Sequence, residues 1–136
     1  MAWAVDSCLL IDVAAKDPVF GVSSALLLER RRADALVICP ISYVELSPLF
    51  NGQRLALEEF LHIVDVRWPE AWILADTYAA FDAWARYVAQ KRQGNIPKRP
   101  IADMLIGAFA LRFQGLLTRN SGDFRQLFPR LTIVEP

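Results

Sequence analysis

Residues 3–13 read WAVDSCLLIDV, and the reading of this stretch decides the fold. "WAV" is a short apolar run of the kind that forms a buried strand. The chain then sets a carboxylate, Asp6, at its end, followed by Ser7 and Cys8 before the apolar pattern resumes. A charge at the mouth of a buried strand is costly unless a partner, a cap or a metal compensates it. The rest of the sequence has to supply one of the three.

With 136 residues, of which 54% are hydrophobic and 22% charged, the chain is expected to form a single domain over residues 1–136 around a real core. That hydrophobicity excludes a disordered chain, and no uninterrupted apolar stretch approaches the length of a membrane span. No positively charged region precedes the first apolar run, and Asp6 interrupts it, so a soluble, cytoplasmic protein without a secretory signal is expected. Cys8 and Cys39 each lie in an apolar run with no CxxC or Cys/His cluster nearby, which reads as two small buried hydrophobes. Net charge is zero, yet between Asp82 and Asp123 the sole acid is Asp103, beside Arg86, Lys91, Arg92, Lys98, Arg99, Arg112 and Arg119. This run is either a solvated helix end and loop or a local patch that attracts phosphates.

Working outward from the opening strand, "SSALLLERRR" reads as a helix and "ALVIC" as a second strand closed by Pro40. "ISYVELSPLF" and "RLALEEFLHIV" read as two helical pieces around "NGQ". "PEAWILADTYAAFDAWARYVAQKRQG" reads as a long helix opened by Pro69 and closed by Gly94. "IADMLIGAFALRFQG" follows as a helix with Gly115 as its C-terminal cap, then "LLT" as a strand, "DFRQLF" as a helical turn and "LTIVE" as a last strand. Strands alternating with helices predict an α/β fold with a central, mainly parallel sheet and helices on both faces.

On this map four acids stand at strand exits: Asp6 after the first strand, Glu45 in the helix after the second, Asp103 opening a helix, and Asp123 after "LLT". Exits of a parallel sheet share one edge, where ligands bind. Asp103 alone reads equally as a residue favoured by a helix N-terminus, and Asp123 as a cap. Together the four point to a metal site, because converging carboxylates repel unless a cation neutralises them. Hard oxygen donors select Mg²⁺ or Mn²⁺ and suggest phosphoryl chemistry.

The sequence resembles the PIN-domain proteins, and among them the VapC-type ribonuclease toxins of bacterial toxin–antitoxin pairs. "VDSCLLIDV" resembles the family's opening strand and helix, "ISYVEL" its Glu-Leu segment, "IADMLIGAFAL" its Asp with an alanine-rich helix, and "LLTRNSGDF" its Thr-bearing strand exit. The resemblance implies a three-layer α/β/α sandwich. It also implies a Mg²⁺ (or Mn²⁺) site of Asp6, Glu45 and Asp103, which hydrolyses RNA phosphodiester bonds. Where many relatives carry an Asp two residues after the Thr, this chain has Asn120, and Asp123 either supplies the fourth acid or points away. Ser7 and Thr118 would position carboxylates, or else are turn residues, while Arg119, Lys98 and Arg99 could hold the substrate backbone. Cys8, where Asn is common, is expected to affect packing only. The resemblance further implies a cognate antitoxin partner and a homodimer.

Other chemistries fail on the residues. A haloacid-dehalogenase-type phosphatase needs an Asp where Cys8 stands, and no glycine-rich loop follows a strand. The single histidine, His62, sits in an apolar helix and reads as structural. Two alternatives remain: a free-standing RNA-processing nuclease, and a catalytically weak module that works by binding protein or RNA. The second draws on the long helix, where Leu74, Tyr78, Phe81, Ala85 and Val88 form an apolar stripe, with Ile73, Ala80, Trp84 and Tyr87 beside it. That stripe is either a face buried on two sides or a surface for a second copy or an antitoxin segment.

Overall fold

The computed structural model describes residues 1–92 and 101–136. Its strands are β1 (Trp3–Val5), β2 (Leu36–Val37), β3 (Val66–Arg67), β4 (Leu116–Leu117) and β5 (Ile133–Val134). The helices are α1 (Ser7–Ala14), α2 (Gly21–Arg31), α3 (Pro40–Glu45), α4 (Arg54–Ile63), α5 (Leu74–Arg92), α6 (Ile101–Ala110) and α7 (Ser121–Leu127). Every strand pairing is parallel, and the strand order is β3-β2-β1-β4-β5. Ala4 is opposite Val37 on one side and Leu116 on the other.

Both faces of this sheet are covered, as parallel pairing requires, because each connection returns along a face as helix. Side chains of a strand alternate between faces, and two cores result. Ala4, Val37 and Leu116 join Met104, Phe109, Phe124 and Phe128 on the side of α5, α6 and α7. Trp3, Val5, Leu36 and Leu117 join Leu9, Leu10, Leu27, Leu57 and Leu61 on the side of α1, α2 and α4. The expected three-layer α/β/α sandwich is therefore the arrangement found.

Several local expectations need correction. β3 has no counterpart in the sequence pattern, because two residues with Arg67 exposed give no apolar run to recognise. α5 starts at Leu74 rather than at Pro69, since the Asp76 carboxylate accepts the Ile73 backbone N–H and fixes the helix entry there. Gly94, its supposed end, lies outside the described residues. α6 ends at Ala110, and Gly115 instead leads into β4. A Cβ at Gly115 would stand 2.3 Å from the Thr132 carbonyl oxygen and 2.7 Å from the Trp3 ring, so close packing demands the glycine. His62 is exposed on α4 and is no core histidine. On α5, Ala80, Ala83 and Tyr87 are buried, whereas Leu74, Tyr78 and Phe81 of the apolar stripe are exposed. Among the described residues no helix is long and apolar enough to cross a membrane.

Candidate active site

The chain turns from β1 to β2 on one side of the sheet's centre and reaches β4 on the other. β1 and β4 therefore flank a switch point, at whose carboxyl end a crevice opens in folds of this kind. Asp6 is the residue after β1, and Thr118 is the residue after β4.

Asp6 is only 4% exposed, and although it stands at the N-cap position of α1 its side chain makes no capping bond. The N2 and N3 cap explanation for this acid fails, and besides the Ser7 backbone its partners are side chains. Thr118 Oγ1 donates to Asp6 Oδ2 at 2.7 Å, and the Cys8 thiol donates to the same oxygen at 3.4 Å. Ser7 Oγ lies 3.5 Å from Asp6 Oδ1 but 2.9 Å from Glu45 Oε1. A serine hydroxyl has a single proton, so the shorter bond to Glu45 takes the larger share of it and Asp6 the smaller. Oδ2 is thus held from two sides, while Oδ1 keeps its acceptor capacity. Burial raises the Asp6 carboxyl above its ordinary value of 3.8, and the bonds from Thr118, Cys8 and Ser7 pull it only part of the way back. Cys8 is half-buried, with its thiol pushed up to about 11 by burial and by Asp6; its role exceeds the packing effect expected of it.

Glu45 ends α3 and is exposed, joined to Asp6 through Ser7. Asp103 lies half-buried in the first turn of α6. α6 packs against α3, and Ile101 and Met104 share an apolar cavity with Ile41. Asn120 donates its backbone N–H to Thr118 Oγ1 at 3.0 Å, and its side chain reaches exposed Asp123 at 3.3 Å. Asp6, Ser7, Cys8, Glu45, Thr118, Asn120 and Asp123 therefore form one hydrogen-bonded chain across the β1 and β4 exits. Among the described residues, no three His, Cys, Asp or Glu side chains stand as a ready-made ion-holding group. Lys98 and Arg99 lie outside the described residues.

Arg119 does not present a free guanidinium to the crevice. It forms a two-point ion pair with Asp12, at 2.8 and 3.0 Å, and stacks over the Phe20 ring at 4.2 Å. Asp12 also accepts from Ser24 Oγ at 2.9 Å. Sequence reasoning missed this buried acid, although the argument applied to Asp6 would have found it: Asp12 interrupts the apolar run of α1, and a buried carboxylate demands a partner.

No family model and no curated protein matches the sequence. Among solved structures, VapBC2 from Rickettsia felis bound to a DNA fragment from their promoter contains a similar chain. The match covers 100% of this chain and 99% of that one, with a TM-score of 0.69 and 17% identity. A likeness of that identity is one of fold. With the five-stranded parallel sheet and its covering helices, it establishes that the chain has a PIN-like α/β fold, shared along its whole length with a chain of the VapBC2 complex.

Proposed function

We propose that the chain is a metal-dependent endoribonuclease of the VapC kind, the toxin of a toxin–antitoxin pair. The observation that carries this reading is Asp6, a buried carboxylate at the switch point that is held by hydroxyl and thiol donors and still incompletely compensated. A carboxylate kept in that state has a use for a cation, and its Oδ1, which meets only the long Ser7 contact, offers a hard oxygen donor. The donor set suits Mg²⁺ or Mn²⁺, which keep several waters and take few protein carboxylates. Asp6, with Glu45, Asp103 and Asp123, would hold the ion. Once bound, it would supply a water of lowered pKa and neutralise charge on the phosphate.

The chain's own residues prepare this chemistry. Thr118 and Cys8 fix the plane of the Asp6 carboxylate, and Ser7 ties Glu45 to the same exit. Asn120 completes Thr118 by donating to its oxygen, so the hydroxyl proton is directed at Asp6. The antitoxin part of the proposal rests on the fold likeness to a VapBC2 chain, on an apolar cavity of about 630 Å³ lined in part by exposed Phe81 and Ile101, and on exposed Leu74 and Tyr78 of the same helix α5 as Phe81. The same surface would serve a homodimer, and it favours the binding module as the second reading.

Incubating purified chain with total RNA separates the two readings, with Mg²⁺, with Mn²⁺, with chelator, and with Asp103→Asn in parallel. Metal-dependent cleavage that Asp103→Asn abolishes while keeping wild-type circular dichroism supports the nuclease. RNA left intact under every metal condition, or cleaved equally by Asp103→Asn, overturns the site and leaves the binding module.

A further inference from the structure

Two adjacent residues at the β4 exit reach into the α1 segment at two separate points. Thr118 bonds Asp6, immediately before α1, and Arg119 bonds Asp12, inside it. Six residues of helix span about 9 Å, so these attachments are well separated along the segment. A single hydroxyl bond lets the strand exit pivot about Asp6; a second anchor at that distance removes the pivot. The second anchor is also the stiffer. Asp12 has a 2% exposed side chain, takes the Arg119 guanidinium on both oxygens, and is braced by Ser24 from α2. A planar guanidinium bound at two points fixes direction as well as distance.

We propose that Asp12 and Arg119 are positioning residues, whose ion pair fixes the β4 exit on α1 so that Thr118 holds Asp6 in its working orientation. The proposal rests on Asp6 being the central carboxylate of the nuclease site. It assigns Arg119 a role behind the site, in place of a grip on the substrate backbone.

Cys8 provides a reporter that needs neither metal nor RNA, because its thiol touches both Asp6 and Thr118. Cys39, 1% exposed, is the internal control for general loosening. Arg119→Ala leaves buried Asp12 without its cation and risks unfolding. Arg119→Lys and the charge-free pair Asp12→Asn with Arg119→Gln are therefore made alongside it. Alkylation of each cysteine by iodoacetamide is followed by peptide mass spectrometry, and RNA cleavage is measured on the same proteins.

In the folded variants Cys8 should be alkylated about tenfold faster with Cys39 unchanged, and kcat should fall about tenfold. KM should stay within about threefold of wild type. An unchanged Cys8 rate in the folded variants overturns the proposal, as does equal acceleration of both cysteines, which would make the pair a general stabiliser. A raised KM with unchanged kcat also overturns it and returns Arg119 to the substrate. If wild-type chain cleaves no RNA, the nuclease reading fails by itself, and the Cys8 rate still decides whether the pair holds the exit.

Discussion

Replacing Asp6 by Asn should make the metal-free protein more stable. Withdrawing a carboxylate from water costs several kcal/mol after relaxation. One strong bond from Thr118, at 2.7 Å, returns about 1.5–3 kcal/mol, and the thiol at 3.4 Å and the distant Ser7 hydroxyl return less. The raised carboxyl shows that the balance is unfavourable to the charge. An Asn amide oxygen can still accept from Thr118, and its NH2, in the place of Oδ1, faces the Ser7 hydroxyl oxygen, so the substitution removes the charge and keeps the bond. What the bonds leave unreturned is about 1–2 kcal/mol at pH 7, or roughly 3–8 °C in Tm for a chain of this length.

The pH dependence of that gain has a definite sign. Folded Asp6 binds its proton more tightly than the unfolded residue does, so wild type gains stability as pH falls through the folded value toward 3.8. The gap between Asp6→Asn and wild type should therefore be full at pH 7 and close in acid. A bound divalent ion acts in the opposite sense, stabilising wild type by about 2.7 kcal/mol at a hundredfold excess over Kd and leaving the variant unmoved. Thermal denaturation followed by circular dichroism, at pH 7 and near pH 4, with and without Mn²⁺, tests all three statements. An Asn variant less stable than wild type at pH 7, or a gap that widens in acid, would show that the protein alone satisfies Asp6 and that no cation is called for.

Three further substitutions probe the frame that carries the site. Gly107→Ala would put a methyl group 2.3 and 2.5 Å from carbons of the buried Phe128 ring. A loss of about 1–3 kcal/mol from overpacking should outweigh the helix-propensity gain of about 1 kcal/mol, read as a lower urea midpoint. Arg112→Ala strips the fully buried Asp76 of its two-point partner, at 2.7 and 3.0 Å, and should cost about 3–5 kcal/mol in chemical denaturation. Adding Asp76→Asn should recover part of that loss. Ala35 holds φ 72°, with its N–H bonded to Arg32 and its carbonyl to Trp3. Ala35→Gly should raise stability by about 0.5–1 kcal/mol, the strain relieved minus the added freedom of the unfolded chain, read as a higher urea midpoint.

The parts of this protein that could be read from sequence are those set by neighbouring residues. "WAV" and "ALVIC" announce central strands because both faces of the sheet are buried and every residue in them is apolar. Asp6 stands out for the same reason, as a charge where the pattern forbids one. What could not be read depends on partners brought in by topology. Ser7 meets Glu45 across 38 positions, and Arg119 meets Asp12 across 107, so from sequence a basic residue beside a Thr-bearing exit looks substrate-facing. The start of α5 is hidden in the sequence because Asp76 sets it, and Asp76 is itself held by Arg112, 36 positions away.

The 112 positions between Asp6 and Thr118 also bear on synthesis of the protein. β1 lies at the middle of the sheet, and its β4 neighbour begins at Leu116, so the centre of the molecule cannot close until most of the chain has left the ribosome. The β1 to β2 half can gather earlier, through local pairing with α1 and α2. A nascent or truncated product ending before β4 lacks Thr118 and Arg119 together, and with them both anchors on α1. Catalytic competence, on the proposed reading, would arrive in one step near the end of translation, and a chain stopped at residue 112 should bind no Mn²⁺.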